Sequence, residues 1–127
     1  IIAIDGPAGS GKSTVAKLVA KKLKYRYIDT GAMYRSVAWT AQKKGMDLAD
    51  ETAMAEIAKN LEIEFVPGVN GQSVLVNGEN ATAHLKNETV GKGAAAVAAQ
   101  ESVREILVAR QRQIGEAGDV VMDGRDI

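Results

Sequence analysis

Residues 6–14 read GPAGSGKST, which fits the pattern of a glycine, four residues of any type, and then glycine, lysine and serine. This pattern is typical of a loop that binds phosphate. Glycine carries no Cβ atom, so the backbone can approach an anion closely, and the N–H groups of the loop and of the following helix favour negative charge. The loop therefore predicts a phosphate site, in which Lys12 reaches the terminal phosphates and the Ser13 hydroxyl ligates Mg²⁺.

The residues on either side of the loop supply the structural context that the motif requires. Residues 1–5, IIAID, form an apolar run that suits a buried parallel strand. A glycine-rich turn that binds nothing is the alternative, but such a turn does not need the Lys12-Ser13 pair. After the loop, apolar residues at helical spacing predict a helix over about 12–22: Val15, Leu18, Val19 and Leu23.

The composition restricts the class of protein. The chain has 127 residues, enough for one domain, and its 16 basic residues equal its 16 acidic residues. A net charge of zero argues against a broad surface for nucleic acid.

The absence of cysteine excludes disulfides, thiol catalysis and thiolate metal sites. No apolar stretch approaches the roughly 18 residues that cross a membrane, and no signal-peptide pattern is present. We therefore expect a cytoplasmic protein that binds neither nucleic acid nor membranes.

The rest of the sequence alternates between predicted strands and helices, with one exception. Strands are predicted at 25–28 and 120–122. Helices are predicted at 32–44, ended by Gly45, and after the cap residues Asp50 and Asn87. A further helix is predicted around 103–114, after a break at 100–102.

The exception is residues 62–82, which predict a small antiparallel sheet of two or three strands. Apolar and acidic residues alternate at 62–65, and Asn77-Gly78 is a strong hairpin signal. We interpret the lone Trp39 as a packing residue and the lone His84 as a surface or capping residue, because no further aromatic or metal-binding residues accompany them.

Each of the three predicted parallel strands ends in residues that can bind a ligand. In a parallel α/β sheet, ligands bind at the carboxyl ends of the strands. The first strand leads into the phosphate loop, the second into residues 29–31 (DTG), and the third into residues 123–126 (DGRD). Asp123 is similar to the Walker-B aspartate that helps to hold Mg²⁺, although an aspartate here can also cap a helix or form a turn. Asp29 or Thr30 can likewise simply cap the next helix.

Three arginines are candidates to bind a second phosphate: Arg35, Arg104 and Arg125. A guanidinium offers two parallel hydrogen bonds to phosphate oxygens. Phosphoryl transfer requires two phosphates held in line and positive charge near the transition state. The chain thus offers a donor loop together with basic residues suited to an acceptor phosphate.

Four stretches together resemble the bacterial cytidylate kinase family of nucleoside monophosphate kinases: GPAGSGKSTVAK at 6–17, DTGAMYR at 29–35, VREILVARQR at 103–112 and DGRDI at 123–127. The resemblance covers the whole chain. It implies an α/β phosphate-loop fold of three layers, with a central parallel sheet, helices on both faces, and a small antiparallel β insertion in the monophosphate-binding region. In that organisation residues 1–61 and 86–127 form the core and the monophosphate-binding helices, and residues 62–85 form the insertion.

The resemblance also implies an activity and the residues that carry it. The expected reaction is phosphoryl transfer from ATP to CMP or dCMP by a monomeric enzyme, with Mg²⁺ held by Ser13 and Asp123. Lys12 and Arg125 are the expected catalytic residues. The ATP phosphates are expected to contact Gly6, Pro7, Ala8, Gly9, Ser10, Gly11, Lys12, Ser13 and Thr14. The acceptor nucleotide is expected to contact Thr30, Tyr34, Arg35, Arg104, Arg125 and Asp126.

The sequence departs from the family pattern in two places. Ala95 stands where some relatives have a serine that contacts the cytosine. The chain also stops inside the family motif DGRD-(Ile/Met)-Gly-Thr, so we expect it to be the N-terminal portion of a longer kinase, truncated before the lid. Because a lid excludes water and completes the catalytic site, residues 1–127 alone are expected to catalyse little.

Three other functions stay open at the level of sequence. These are another small-molecule kinase with a phosphate loop, a regulatory GTPase, and a nucleotide-binding module that does not catalyse. The sequence contains no Asn-Lys-x-Asp signature for guanine. It does not separate CMP, dCMP and UMP as acceptors, because that choice depends on hydrogen bonds around the base.

Overall fold

A computed structural model of the chain describes residues 2–5, 12–67 and 72–124, and for Asp5, Lys12 and Ser13 it describes the backbone alone. These residues divide into two compact units, one of residues 1–31 with 108–127 and one of residues 32–107. The elements in chain order are β1 (Ile2–Asp5), α1 (Lys12–Leu23), β2 (Arg26–Asp29), α2 (Thr30–Lys43), α3 (Glu51–Asn60), β3 (Ile63–Val66), β4 (Ser73–Val76), β5 (Glu79–Asn80), a 3₁₀ turn (His84–Lys86), α4 (Glu88–Ala98), α5 (Glu101–Glu116) and β6 (Val120–Gly124).

The first unit contains a parallel sheet in the strand order β1-β6-β2. β6 is the central strand, and all five of its residues are buried. This burial explains its apolar sequence, since a strand covered on both faces reads as a continuous apolar run. The register places Asp123 of β6 beside Ile4 of β1 and beside Asp29 of β2.

Helix α1 packs against this sheet through small side chains. Ala16 and Ala20 are buried with Val121 of β6, and partly buried side chains surround them: Ile2, Ile4, Val19, Tyr25 and Tyr27. The helix predicted over 12–22 is confirmed, but most of the residues whose spacing predicted it are not the buried ones. Val15, Leu18 and Leu23 are exposed. Alanine lets the helix backbone approach the sheet closely, and the larger aliphatic residues lie on the other side.

The second unit is organised around α2. Residues 36–41 of this helix are all buried, which is more than one face. Its core includes Met33, Val37 and Trp39 of α2, Met54 of α3 and Val97 of α4. The helix ends as predicted at Gly45, whose φ of 66° lies in the left-handed region that favours glycine. There the Gly45 N–H donates to Gln42 O and the Met46 N–H donates to Ala41 O.

The predicted caps of the next helices are confirmed. The Asp50 carboxylate accepts a hydrogen bond from the Ala53 N–H at the start of α3, and the Asn87 side chain accepts one from the Thr89 N–H at the start of α4. A break between the last two helices is confirmed, but it lies at 99–100 and not at the predicted 100–102, because α4 ends at Ala98 and α5 begins at Glu101.

The predicted antiparallel sheet is confirmed, with three strands in the order β3-β4-β5. Asn77 and Gly78 connect β4 to β5 with φ values of 51° and 83°, as a two-residue hairpin turn requires. The Asn77 side chain also accepts a hydrogen bond from the Glu62 N–H at 2.9 Å. With the parallel sheet and its flanking helices, this sheet confirms the predicted α/β fold class.

Trp39 packs as predicted, and it links α2 to the region after the antiparallel sheet. Its ring stacks on the exposed His84 ring with a centroid distance of 5.3 Å. The Lys43 ammonium lies 4.2 Å from the Trp39 ring centroid and forms an ion pair with Glu79 at 2.7 Å. His84 is exposed although it contacts Trp39, so its interpretation as a surface residue is confirmed.

Glu51 of α3 caps the N-terminus of α5. Its carboxylate accepts a hydrogen bond from the Ser102 N–H at 3.1 Å. Hydrogen bonding from the Ser102 side chain, and then from its backbone N–H, lowers the pKa of Glu51 below its ordinary value of 4.5. A carboxylate whose pKa is lower in the folded state stabilises the protein above its unfolded pKa, and this contribution is lost as the pH falls through the folded pKa.

We expect Glu51→Gln to remove this part of the acid sensitivity. Between about pH 5 and about pH 3, the urea midpoint of the wild-type protein should fall by more than that of the variant. The effect should be small, because Glu51 is fully exposed. The control is Glu105→Gln, which removes an exposed carboxylate from α5 and should retain the wild-type acid sensitivity. Equal falls in wild type and Glu51→Gln would refute this role for Glu51.

Candidate functional site

The carboxyl end of β6 places an acidic side chain at the centre of the parallel sheet. Asp123 is 1% exposed, and the strand continues through Gly124, beyond the predicted end at Met122. Asp123 is therefore a strand residue, and the alternatives of a helix cap or a turn residue are wrong. Burying a carboxylate without hydrogen-bond donors costs free energy. The groups around Asp123 therefore determine whether its carboxylate can stay charged.

Two hydroxyl groups from the β2–α2 segment bind Asp123. The Tyr27 hydroxyl donates to Asp123 Oδ2 at 2.7 Å. The Thr30 hydroxyl donates to the main-chain carbonyl oxygen of Asp123 at 2.8 Å. The β2–α2 segment thus holds both the side chain and the main chain of Asp123.

Thr30 was predicted either to cap α2 or to contact the acceptor nucleotide. It is the first residue of α2 and is 2% exposed. Its hydroxyl proton is directed to β6, so the side chain connects the start of α2 to the central strand. Contact with the nucleotide stays a prediction for Thr30.

Sequence reasoning missed Tyr27. In the parallel register Tyr27 lies beside Val121, two residues before Asp123 on β6. Side chains two residues apart on a strand lie on the same face. This is the face that packs against α1, since Tyr27, Val121 and Ala16 belong to one cluster. Only the register reveals the pairing, because 96 residues separate Tyr27 from Asp123.

Three of the predicted acceptor residues lie in the second unit. Tyr34 of α2 is partly buried against the core of that unit. Arg35 of α2 and Arg104 of α5 have exposed side chains, as residues that bind a diffusible nucleotide require. Ala95, the predicted departure from the family pattern, is exposed on α4.

Much of the predicted phosphate site lies outside the described residues. This applies to Gly6–Gly11, to Arg125 and Asp126, and to the side chains of Lys12 and Ser13. The described part agrees with the motif in two respects. β1 ends at Asp5, directly before the loop, and α1 begins at Lys12, with Thr14 exposed in its first turn.

The residues present fit Mg²⁺ in one particular way. Among residues 2–5, 12–67 and 72–124, no three His, Cys, Asp or Glu side chains are grouped as a metal site. Mg²⁺ is commonly bound by one or two carboxylates together with substrate phosphates and water, without a cage made by the protein alone. Asp123 supplies one carboxylate of this kind, and its Oδ2 accepts a hydrogen bond from the Tyr27 hydroxyl.

The described helices include none with the length and apolar character that a membrane span requires.

Comparison with known proteins agrees with the resemblance in the sequence. A family model described as cytidylate kinase matches residues 2–127. The cytidylate kinase of Bacillus velezensis (strain DSM 23117 / BGSC 10A6 / LMG 26770 / FZB42) is 55% identical over 126 residues, which is 99% of this chain and 56% of the relative. The cytidylate kinases of Bacillus subtilis (strain 168) and Geobacillus thermodenitrificans (strain NG80-2) are 51% and 52% identical over the same shares. The chain thus spans about half the length of these relatives. It belongs to the cytidylate kinase family.

Proposed function

We propose that the complete polypeptide transfers a phosphoryl group from ATP to CMP or dCMP and releases ADP with CDP or dCDP. The family match over residues 2–127 is the observation that carries this proposal. It is supported by the GPAGSGKST sequence at 6–14, which begins directly after β1 and runs into α1, and by the buried carboxylate at the end of the central strand.

In the proposed reaction, a phosphate oxygen of the acceptor attacks the γ-phosphorus of ATP. The bond between that phosphorus and the oxygen bridging the β- and γ-phosphates breaks, and ADP leaves with the bond electrons. Residues 6–14 bind the donor phosphates, and Lys12 and Arg125 stabilise the charge on the transferring group. Ser13 and Asp123 hold Mg²⁺, which when bound neutralises charge on the phosphates. The acceptor contacts Thr30, Tyr34, Arg35, Arg104, Arg125 and Asp126.

The organisation around this reaction is also proposed. Residues 1–61 and 86–127 form the kinase core with its monophosphate-binding helices, and residues 62–85 form a β insertion in the monophosphate-binding region. The enzyme is a cytoplasmic monomer. The equal numbers of acidic and basic residues support small nucleotides, not nucleic acid, as its partners.

A panel of acceptors tests the proposal. The complete polypeptide is mixed with Mg·ATP and, in separate reactions, with CMP, dCMP, UMP, AMP or GMP, and ADP release is followed. We expect turnover with CMP and dCMP and little with AMP and GMP, while UMP defines the selectivity for the base. Residues 1–127 alone, assayed in parallel, should show little turnover. Transfer to AMP or GMP in preference to CMP would assign another kinase activity, and ADP release that needs no acceptor would indicate a nucleotide hydrolase.

A further inference from the structure

A tyrosine on β2 holds the carboxylate at the end of the central strand. The Tyr27 hydroxyl lies 2.7 Å from Asp123 Oδ2 and donates to it. We propose that Tyr27 is a positioning residue, whose hydroxyl fixes the Asp123 carboxylate in the orientation that binds Mg²⁺. This inference rests on the proposed function, which makes Asp123 a metal ligand.

The hydrogen bond restricts the side-chain torsions of Asp123, which strand pairing alone does not fix. The backbone of Asp123 is held by its register with Ile4 and Asp29 and by the Thr30 hydroxyl on its carbonyl oxygen. The last torsion of an aspartate is broad, so the plane of a carboxylate is poorly defined without a partner. A donor at Oδ2 sets that plane. Hydrogen-bond partners of this kind orient metal ligands and affect metal affinity.

Tyr27 is itself held in place, as a positioning residue must be. Its ring packs in the cluster around Ala16, Ala20 and Val121. The Lys17 ammonium lies 5.6 Å from the ring centroid, within the range of a cation–π contact. Ala16, Lys17 and Ala20 all belong to α1, the helix that follows the phosphate loop. Tyr27 therefore links this helix to the orientation of Asp123.

Tyr27→Phe in the complete polypeptide tests the inference, because it keeps the ring and removes only the hydroxyl. Two quantities are measured against Mg²⁺ concentration: the initial rate with ATP and CMP, and the rise in melting temperature that a non-hydrolysable ATP analogue produces. The Mg²⁺ concentration for half of the full effect should rise about ten-fold in both measurements, the lower end of what loss of such a partner costs. The KM for CMP at saturating Mg²⁺ should stay unchanged.

Tyr25→Phe is the matched control. It removes the same hydroxyl group from a tyrosine two residues earlier that packs at the same cluster. This variant should keep the wild-type Mg²⁺ dependence.

Each remaining outcome has a definite meaning. If the Mg²⁺ dependence of Tyr27→Phe stays that of the wild type, the inference is overturned, and a fall in its melting temperature or rate then means that Tyr27 is structural only. If the wild-type protein phosphorylates no acceptor but the Mg²⁺ dependence of analogue binding still shifts ten-fold in Tyr27→Phe, the proposed function fails and the positioning role stands. If Mg²⁺ does not affect analogue binding to the wild type, both are overturned.

Discussion

Gly93→Ala is expected to lower the free energy of unfolding of the complete polypeptide by about 1–2 kcal/mol, although alanine is the better helix former. Gly93 is buried in α4, where a Cβ atom would lie 2.7 Å from Gln42 Nε2, 2.8 Å from Leu48 Cδ2 and 3.2 Å from Ala38 Cβ. The Gln42 amide already donates to Thr89 O, so moving it also disturbs a hydrogen bond between α2 and α4. The overpacking outweighs the gain of about 1 kcal/mol in helix propensity.

Gly91→Ala is the matched control for this prediction. Gly91 lies two residues earlier in α4, and a Cβ atom there would meet nothing within 4 Å. Without a clash only the helix propensity acts, so this variant should be more stable than the wild type by up to about 1 kcal/mol. Urea unfolding of both variants measures the difference. Equal stabilities would show that the residues around Gly93 accommodate a Cβ atom at no cost.

Asp123→Asn is expected to lower kcat by about 100-fold or more in the complete polypeptide. The substitution preserves the size of the side chain and an acceptor for the Tyr27 hydroxyl, but it removes the negative charge. Metal ligation contributes several kcal/mol to transition-state stabilisation, and a 100-fold loss corresponds to about 2.7 kcal/mol. Steady-state rates at several Mg²⁺ concentrations provide the measurement.

Asp119→Asn is the control for the loss of an acidic side chain near β6. Asp119 is exposed directly before the strand, and its main-chain oxygen, which the substitution keeps, accepts a hydrogen bond from the Arg26 N–H. Its turnover should equal that of the wild type. If Asp123→Asn retained full turnover with CMP, the assignment of Asp123 as a metal ligand would be wrong.

Local signals in the sequence predicted most of the elements and their ends. Caps and turns depend on residues within a few positions, so the sequence predicted them correctly. Examples are the caps at Asp50 and Asn87, the helix end at Gly45 and the turn at Asn77-Gly78. The buried side of α1 could not be predicted in the same way. Val15 and Leu18 match helical spacing as well as Ala16 and Ala20 do, and contact with the sheet alone selects the alanines.

In the candidate site, too, local sequence signals predicted single residues, whereas contacts between distant residues could not be predicted. Asp123 was predicted because it follows an apolar run, which is a local signal. Its two hydroxyl partners depend on the strand order, and nothing in the sequence of β2 indicates that β6 lies beside it. The close approach at Gly93 likewise depends on which helices are neighbours. The roles predicted for the phosphate loop, for Arg35 and Arg104, and for Arg125 and Asp126 stay predictions.

The position of β6 between β1 and β2 also determines the order in which the parts can form. The second unit is one continuous segment, residues 32–107. The parallel sheet instead joins residues 2–5 and 26–29 to residues 120–124. During synthesis from the N-terminus, β1 and β2 emerge long before the strand that pairs with both of them. The strand that carries Asp123 is therefore also the one that joins β1 to β2, and pairing over such sequence separations is intrinsically slow.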